Sequence, residues 1–359
     1  MNISEVKEIL GSDWTAVQDC IRTSIQSDIE LLDVTNKSIL SHSGKQLRPM
    51  LALLVARACA VDGKATEATV RYAAAAELLH NATLLHDDVA DDSDQRRGVP
   101  TIRSLMGPTV SVLLGDYWLV KAMELILGDR NSDSQVIRIF SKTLSDLAEG
   151  ELLQLQKAQS CDTSEADYLR IIYSKTASLF EASCVSAALS VGASAEVVEA
   201  MRVYAVALGR AFQIKDDIFD YAGTESVGKP LGVDILEQKM TMPLLAAFEG
   251  VSNEEEMRVR GLVKDVVGHP EHRDEIVAFV KENKGLELAA EKLDGYVSEA
   301  VAALSVLPES QEYHLFLNSL LTFKSVHHNF QYFPSLIIAS VPRYTSGVLS
   351  SGPCTFSFI

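Results

Sequence analysis

Leu84-Leu85-His86-Asp87-Asp88-Val89-Ala90-Asp91-Asp92-Ser93-Asp94 and Phe212-Gln213-Ile214-Lys215-Asp216-Asp217-Ile218-Phe219-Asp220 each contain the pattern Asp-Asp-x-x-Asp. On a helix, side chains at i and i+4 share a face, so Asp87 projects with Asp91 and Asp216 with Asp220. Apolar residues precede both clusters, which places the carboxylates at the end of a buried helix rather than on a washed surface. Like charges one turn apart repel and weaken the helix. Carboxylates held together in this way ordinarily share a cation, and an all-oxygen set suits a hard one, Mg2+ first. Mg2+ keeps waters and phosphate oxygens in its shell, so two facing clusters would hold a diphosphate through bridging ions. The bland reading of one such cluster, a solvated acidic helix end, weakens when the pattern occurs twice with the same apolar flank.

Working outward, most of the chain repeats the helical spacing of apolar residues. The pattern predicts helices over 12–32 with Ser12 as N-cap, 50–60, 72–85, 110–127, 134–159, 166–191, 195–221, 239–248, 253–268, 273–283 and 286–304. Segments 50–60 and 72–85 are apolar nearly all round and read as interior. With 20 Gly and 10 Pro in 359 residues, breakers fall below the usual ~12%, and no stretch alternates long enough to demand a sheet. The expected fold class is all-α. Net charge is −17, from 32 Lys and Arg against 49 Asp and Glu. Such a surface repels phosphate backbones and argues against nucleic-acid partners. Arg57 interrupts the best apolar run, so no transmembrane segment is expected. Cys20, Cys59, Cys161, Cys184 and Cys354 include no CxxC pair and read as thiols. With no signal peptide in MNISEVKEIL, the expected compartment is the cytoplasm.

Basic residues are sparse and sit beside the acidic clusters. Gly44-Lys45-Gln46-Leu47-Arg48-Pro49 opens an apolar helix, and Arg96-Arg97-Gly98 follows the first cluster. Lys175-Thr176 lies mid-helix. Gly228-Lys229-Pro230-Leu231-Gly232 and Lys239 follow the second cluster. Arg binds phosphate bidentately and Lys as a point charge. Singly each is an ordinary surface charge; jointly they suggest cations surrounding two diphosphates.

With these residues in place, the chain resembles the trans-isoprenyl diphosphate synthases, the polyprenyl synthetase family, from about residue 44 to 317. Six motifs occur in family order: Gly44-Lys45-x-x-Arg48-Pro49; Leu84 to Asp91 continuing through Arg96-Arg97-Gly98-x-Pro100-Thr101; Lys175-Thr176-Ala177-x-Leu179-Phe180; Gln213-Ile214-x-Asp216-Asp217-x-x-Asp220; Gly228-Lys229-x-x-Gly232-x-Asp234; and Lys239-x-Thr241-x-Pro243. The resemblance implies a large helical bundle around a central cavity, a homodimer, and two or three Mg2+ ions. It implies that Asp87, Asp91 and Asp216 coordinate Mg2+, with Asp88, Asp217 and Asp220 beside them. Lys45, Arg48, His80 and Arg97 would bind isopentenyl diphosphate. Arg96, Lys175, Thr176, Gln213, Lys229 and Lys239 would bind the allylic diphosphate, with Lys175, Thr176, Gln213 and Arg96 serving catalysis. The implied reaction ionises the allylic C–O bond, lets the double bond of isopentenyl diphosphate attack the carbocation, and releases a proton to the departing pyrophosphate.

A growing tail held at Asp87 and Asp91 would run back along the preceding helix. There Ala82 and Thr83 are small where short-chain members carry Phe or Tyr; Ala76 offers no floor, and Leu79 is at most a partial stop. The expected product is therefore longer than C15, C30 to C45, with a geranylgeranyl or farnesyl diphosphate synthase as the alternative. A class I terpene cyclase would lack the second Asp-Asp-x-x-Asp and the 44–49 motif. A non-catalytic synthase subunit would have lost aspartates that this chain keeps. An acidic helical scaffold would need neither pocket nor metal. Residues 1–325 read as one domain. From 326 to 359 the only formal charge is Arg343, so that segment reads as an atypical tail.

Overall fold

The computed structural model describes residues 3–316 apart from 43, 97, 129–133, 223–231, 309, 311 and 314. The expectations for Arg97, Lys229 and the 326–359 segment fall outside the described residues. The rest is helical, as the spacing predicts, with one two-stranded ribbon. In order come α1 (Ile3–Ser24), α2 (Glu30–Ser41), α3 (Leu47–Cys59), α4 (Glu67–Ala90), β1 (Gln95–Arg96) paired antiparallel with β2 (Val99–Pro100), α5 (Ile102–Met106) and α6 (Pro108–Leu127). Then follow α7 (Ser134–Ser160), α8 (Glu165–Ile172), a single π turn (Tyr173–Ala177), α9 (Ser178–Ser190) and α10 (Ala195–Ala222). The chain continues with α11 (Val233–Leu236), α12 (Met242–Ala247), α13 (Asn253–Asp265), α14 (His272–Glu282) and α15 (Gly285–Ala303).

The N-terminal segment departs from expectation. Ser12 is not an N-cap; α1 begins at Ile3 and bends at Gly11, whose φ of 52° suits glycine. A bend strands carbonyls that an unbroken helix would satisfy. Arg57 of α3 takes them, donating to Ile9 O at 2.9 Å and Leu10 O at 2.7 Å while its Nε reaches Asp13 at 2.8 Å. The residue that breaks the apolar run in the sequence is thus the clamp on this bend. Where the spacing predicts one helix over 12–32, α1 ends at Ser24 and α2 starts at Glu30. Asn36 secures that turn by donating to Ile25 O at 2.6 Å and accepting from the fully buried Trp118 Nε1 of α6 at 2.8 Å.

Two long helices position the site. At the start of α4, Thr66 Oγ1 accepts from Thr69 N–H and Thr69 Oγ1 from Thr66 N–H, which satisfies two helix-end donors. Ala73, Ala74, Ala75 and Ala76 have no exposed surface, and these small side chains let α3, α6 and α9 pack closely around α4. α10 packs between α9 and α15. Both helices end in their aspartate clusters, where the helix dipole adds partial negative charge. No described helix is long and apolar enough to cross a membrane.

Candidate active site

On α4, His80, Thr83 and Asp87 are partly exposed and Asp91, which caps the end of the helix, is exposed, at spacings of three, four and four, while Ala82, Leu85 and Asp88 between them are buried. Thr83 alone among the expected length-setting residues borders open space. Ala76, Leu79 and Ala82 are at most 1% exposed, packed against neighbouring helices. His86 points elsewhere, against α6: its Nε2 lies 3.2 Å from Asp116 Oδ1, and Gly115 leaves it room. Burial pushes the Asp87 carboxyl up to about 6; Glu151 and Asp91 reinforce the rise, and Lys175 and Arg96 oppose it. Asp88 is buried and accepts from Arg96 Nε at 2.8 Å. It therefore orients Arg96 rather than facing the open side.

Lys175 and Thr176 lie in the π turn, an interruption that re-aims side chains and recurs at functional sites. Glycines hold it on both sides. A Cβ on Gly150 of α7 would stand 2.5 Å from Ser174 Cβ, and one on Gly209 of α10 would stand 2.6 Å from Ala177 Cα. Lys175 Nζ pairs with Glu151 and donates to Gln154 Oε1 at 3.1 Å. Thr176 Oγ1 donates to Gln213 Oε1 at 3.0 Å, and Gln213 Nε2 to Asp217 Oδ1 at 3.0 Å. Sequence reasoning missed Glu151 and Gln154, which stand one turn apart beside Gly150 and carry no motif of their own. It also missed Tyr168, whose hydroxyl donates to Asp217 Oδ2.

In the second cluster the three carboxylates have different surroundings. Asp216 is exposed. Asp217 is buried, and burial pushes it up to about 7 against the pull of Tyr168 and Gln213. Asp220 accepts from the backbone N–H groups of Val233 at 3.1 Å and Asp234 at 3.2 Å, holding the return segment. Burial raises Asp234 to about 8, and Asp217 and Asp220 add to the rise. Lys239 Nζ bridges toward the first cluster, 2.5 Å from Glu237 and 4.0 Å from Asp91. A cavity of about 240 Å³ opens there, lined by Asp91, Asp92, Gln154, Glu237 and Lys239. Arg48 lies over the Phe180 ring at 4.7 Å, and its carbonyl accepts from Ser183 Oγ at 2.9 Å. Burial, with the charge of Lys45 nearby, lowers the Lys215 ammonium to about 8.

The donors available are carboxylate oxygens at the negative ends of two helices, several of them driven toward protonation. That set fits a hard divalent cation. The aspartates do not close on one point: among the described residues only His269, Glu271 and His272 bring three ligand atoms within 4.8 Å of one another. A cation between the motifs would complete its shell with water and substrate oxygens, as Mg2+ prefers.

Residues 29–281 match the family described as Polyprenyl synthetase. The chain is 36% identical over 331 residues to an octaprenyl diphosphate synthase of Haemophilus influenzae, a match spanning 92% of this chain and 98% of that protein. Its fold is similar to that of a decaprenyl diphosphate synthase from Rhodobacter capsulatus, with a TM-score of 0.81 and 34% identity over 90% of this chain and 98% of the other. A polyprenyl synthase from Caulobacter crescentus, complexed with calcium and isoprenyl diphosphate, superposes with a TM-score of 0.79 and 31% identity, covering 90% and 97%. With the motif order and the all-α bundle, these matches establish that the chain belongs to the polyprenyl synthetase family, whose members are metal-dependent prenyltransferases.

Proposed function

We propose that the chain condenses isopentenyl diphosphate head-to-tail with an allylic diphosphate to give a trans-polyprenyl diphosphate of C30 to C45. The observation that carries this reading is the pair of helices ending in aspartate clusters, with Lys239 reaching from one toward the other and Lys175 in a π turn beside Asp87. Asp87, Asp91 and Asp216 would hold two or three Mg2+ ions; bound there, these supply positive charge for the departing diphosphate. Lys175, Lys239 and Arg96 add fixed positive charge around that same leaving group. Glu151 and Asp88 hold two of these cations in place before substrate arrives, which lowers the reorganisation needed during reaction. Thr176 offers its hydroxyl oxygen to the developing allylic cation. Lys45, Arg48 and His80, with Arg97 and Lys229, would bind the remaining phosphates. The apolar walls of α4 and α9 exclude water from the cation.

Chain length is read from Thr83, one turn and ~6 Å below Asp87 on the open face. A small side chain there lets a tail pass, and the alanines beneath it yield more readily than Phe or Tyr would. The enzyme is placed in the cytoplasm, where thiols such as Cys20, Cys59, Cys161 and Cys184 stay reduced. It is read as a homodimer through α6, whose Leu113, Val120 and Leu127 recur at heptad spacing and are 63%, 52% and 47% exposed. Incubation with Mg2+, labelled isopentenyl diphosphate and farnesyl diphosphate, followed by sizing of the prenyl products, tests the reading. A ladder reaching C30 or beyond is expected. Absence of condensation with every allylic starter would overturn it.

A further inference from the structure

Tyr168 belongs to none of the sequence motifs, yet it touches the second aspartate cluster directly. It lies in α8, 3% exposed, and its hydroxyl donates to Asp217 Oδ2 at 2.5 Å. Asp217 Oδ1 accepts from Gln213 Nε2, and Gln213 Oε1 accepts from the Thr176 hydroxyl, both at 3.0 Å. Four side chains from three elements, α8, α10 and the π turn, form one chain of hydrogen bonds.

Each link fixes the sense of the next. Once ionised, Asp217 only accepts, so Tyr168 must point its O–H and Gln213 its N–H at it. The opposite end of that planar amide is an acceptor, and it faces Thr176. Turning the amide over would set Oε1 against the carboxylate, two acceptors in contact within a buried site. Thr176 has a single proton and directs it at Gln213. The lone pairs of its oxygen are left for its open side.

We infer that Tyr168 is a positioning residue: acting through Asp217 and Gln213, it turns the Thr176 hydroxyl so that an oxygen lone pair, not a proton, meets the allylic carbon as positive charge develops there. The inference rests on the proposed condensation, because only that reaction forms a cation at this point. Without the Tyr168 hydroxyl, Asp217 keeps Gln213 and the backbone N–H of Met242 but loses the side-chain donor that fixes its Oδ2, and the carboxylate can rotate. Gln213 follows it, and Thr176 is released to turn its proton toward the substrate. The lysines and arginines that hold the diphosphates lie outside this chain of hydrogen bonds and are unaffected.

The test is Tyr168→Phe in the full chain, assayed for condensation with Mg2+ and both diphosphates. Its kcat should fall about tenfold or more, the effect of one hydrogen bond to a buried charged group, with KM for each diphosphate within about twofold of the wild type. A cycle with Thr176→Val separates positioning from simple packing. In the Thr176→Val background the Tyr168→Phe change should cost less than about twofold, because the group it positions is gone. A Tyr168→Phe enzyme with unchanged kcat, a loss confined to KM, or losses that add across the cycle would each overturn the inference. Thermal unfolding checks the fold. Should Tyr168→Phe not fold, Gln213→Met removes the middle link from outside α8, and the same fall in kcat and non-additivity with Thr176→Val are expected; additive losses there overturn the inference. Failure of the wild-type chain to condense the substrates would instead refute the proposed function.

Discussion

Gly150→Ala separates the geometry of the π turn from the stability of the protein. The added Cβ would stand 2.5 Å from Ser174 Cβ, 3.1 Å from Lys175 Cγ and 3.3 Å from Lys175 N. The first of these atoms is rooted in the backbone, so it cannot swing aside as a flexible chain end would. The turn cannot retreat freely either, since Gly209 already lies close against Ala177 on its other side. Two effects on stability oppose each other. Ala favours a helix interior over Gly by about 1 kcal/mol, while overpacking a dense core costs about 1–3 kcal/mol. The net loss should therefore lie between zero and about 2 kcal/mol, a small shift in melting temperature. Activity has no such compensation. Restoring normal carbon–carbon contact moves Ser174 and Lys175 by close to ~1 Å, and a displacement of that size costs on the order of a hundredfold in rate. Steady-state assay of pyrophosphate release, beside a thermal melt, measures both quantities. A kcat within about threefold of wild type, at unchanged stability, would refute the claim that the glycine pair sets the turn.

Three further outcomes follow from the same structure. Thr83→Phe should shorten the product toward C15 to C20 with initial condensation retained, because residue 83 shares the open face of Asp87; product sizing checks this, and an unchanged ladder would place the length-setting wall elsewhere. Metal-free protein should lose stability as pH rises. Asp87, Asp217 and Asp234 have carboxyls raised from 3.8 to about 6, 7 and 8 in the folded protein, so between the unfolded value and these the fold holds protons that the unfolded chain has lost, and stability falls until each has ionised; melts in chelator from about pH 4 upward should show the decline, levelling once Asp234 has ionised, and Mg2+ with pyrophosphate should flatten it. Arg57→Met should destabilise by about 3 kcal/mol, since it strands two helix carbonyls and leaves Asp13 without its partner; chemical denaturation measures this, and a neutral result would mean that Gly11 needs no clamp.

Helical periodicity and fixed spacing determine what the amino-acid sequence makes legible by itself. The two aspartate clusters, their place at helix ends and the interior character of α4 follow from residues within a few turns of one another. Arg57 shows the limit: in sequence it only interrupts an apolar run, and its role depends on a bend nearly fifty residues earlier. The π turn is another case, because Lys175 and Thr176 fit an uninterrupted helix from 166 to 191, and only the close approach of Gly150 and Gly209 reveals the irregularity. The six aspartates are equivalent as a motif. Packing distinguishes them: Asp88 orients Arg96, Asp217 sits between Tyr168 and Gln213, and Asp220 holds the 232–234 backbone. The alanines beneath Asp87 read as an open path in sequence, yet Ala76 and Ala82 are packed, because helical phase leaves Thr83 and His80 on the exposed side.

The central claim is that both aspartate clusters act on one departing diphosphate. The measurement that tests it most directly is pyrophosphate release from isopentenyl and farnesyl diphosphates, titrated with Mg2+, for the wild type, Asp87→Asn and Asp216→Asn. Each single change should cut kcat by about a hundredfold or more and shift the Mg2+ requirement upward, although the two residues lie on different helices. Near-normal turnover with either carboxylate removed would contradict a shared site.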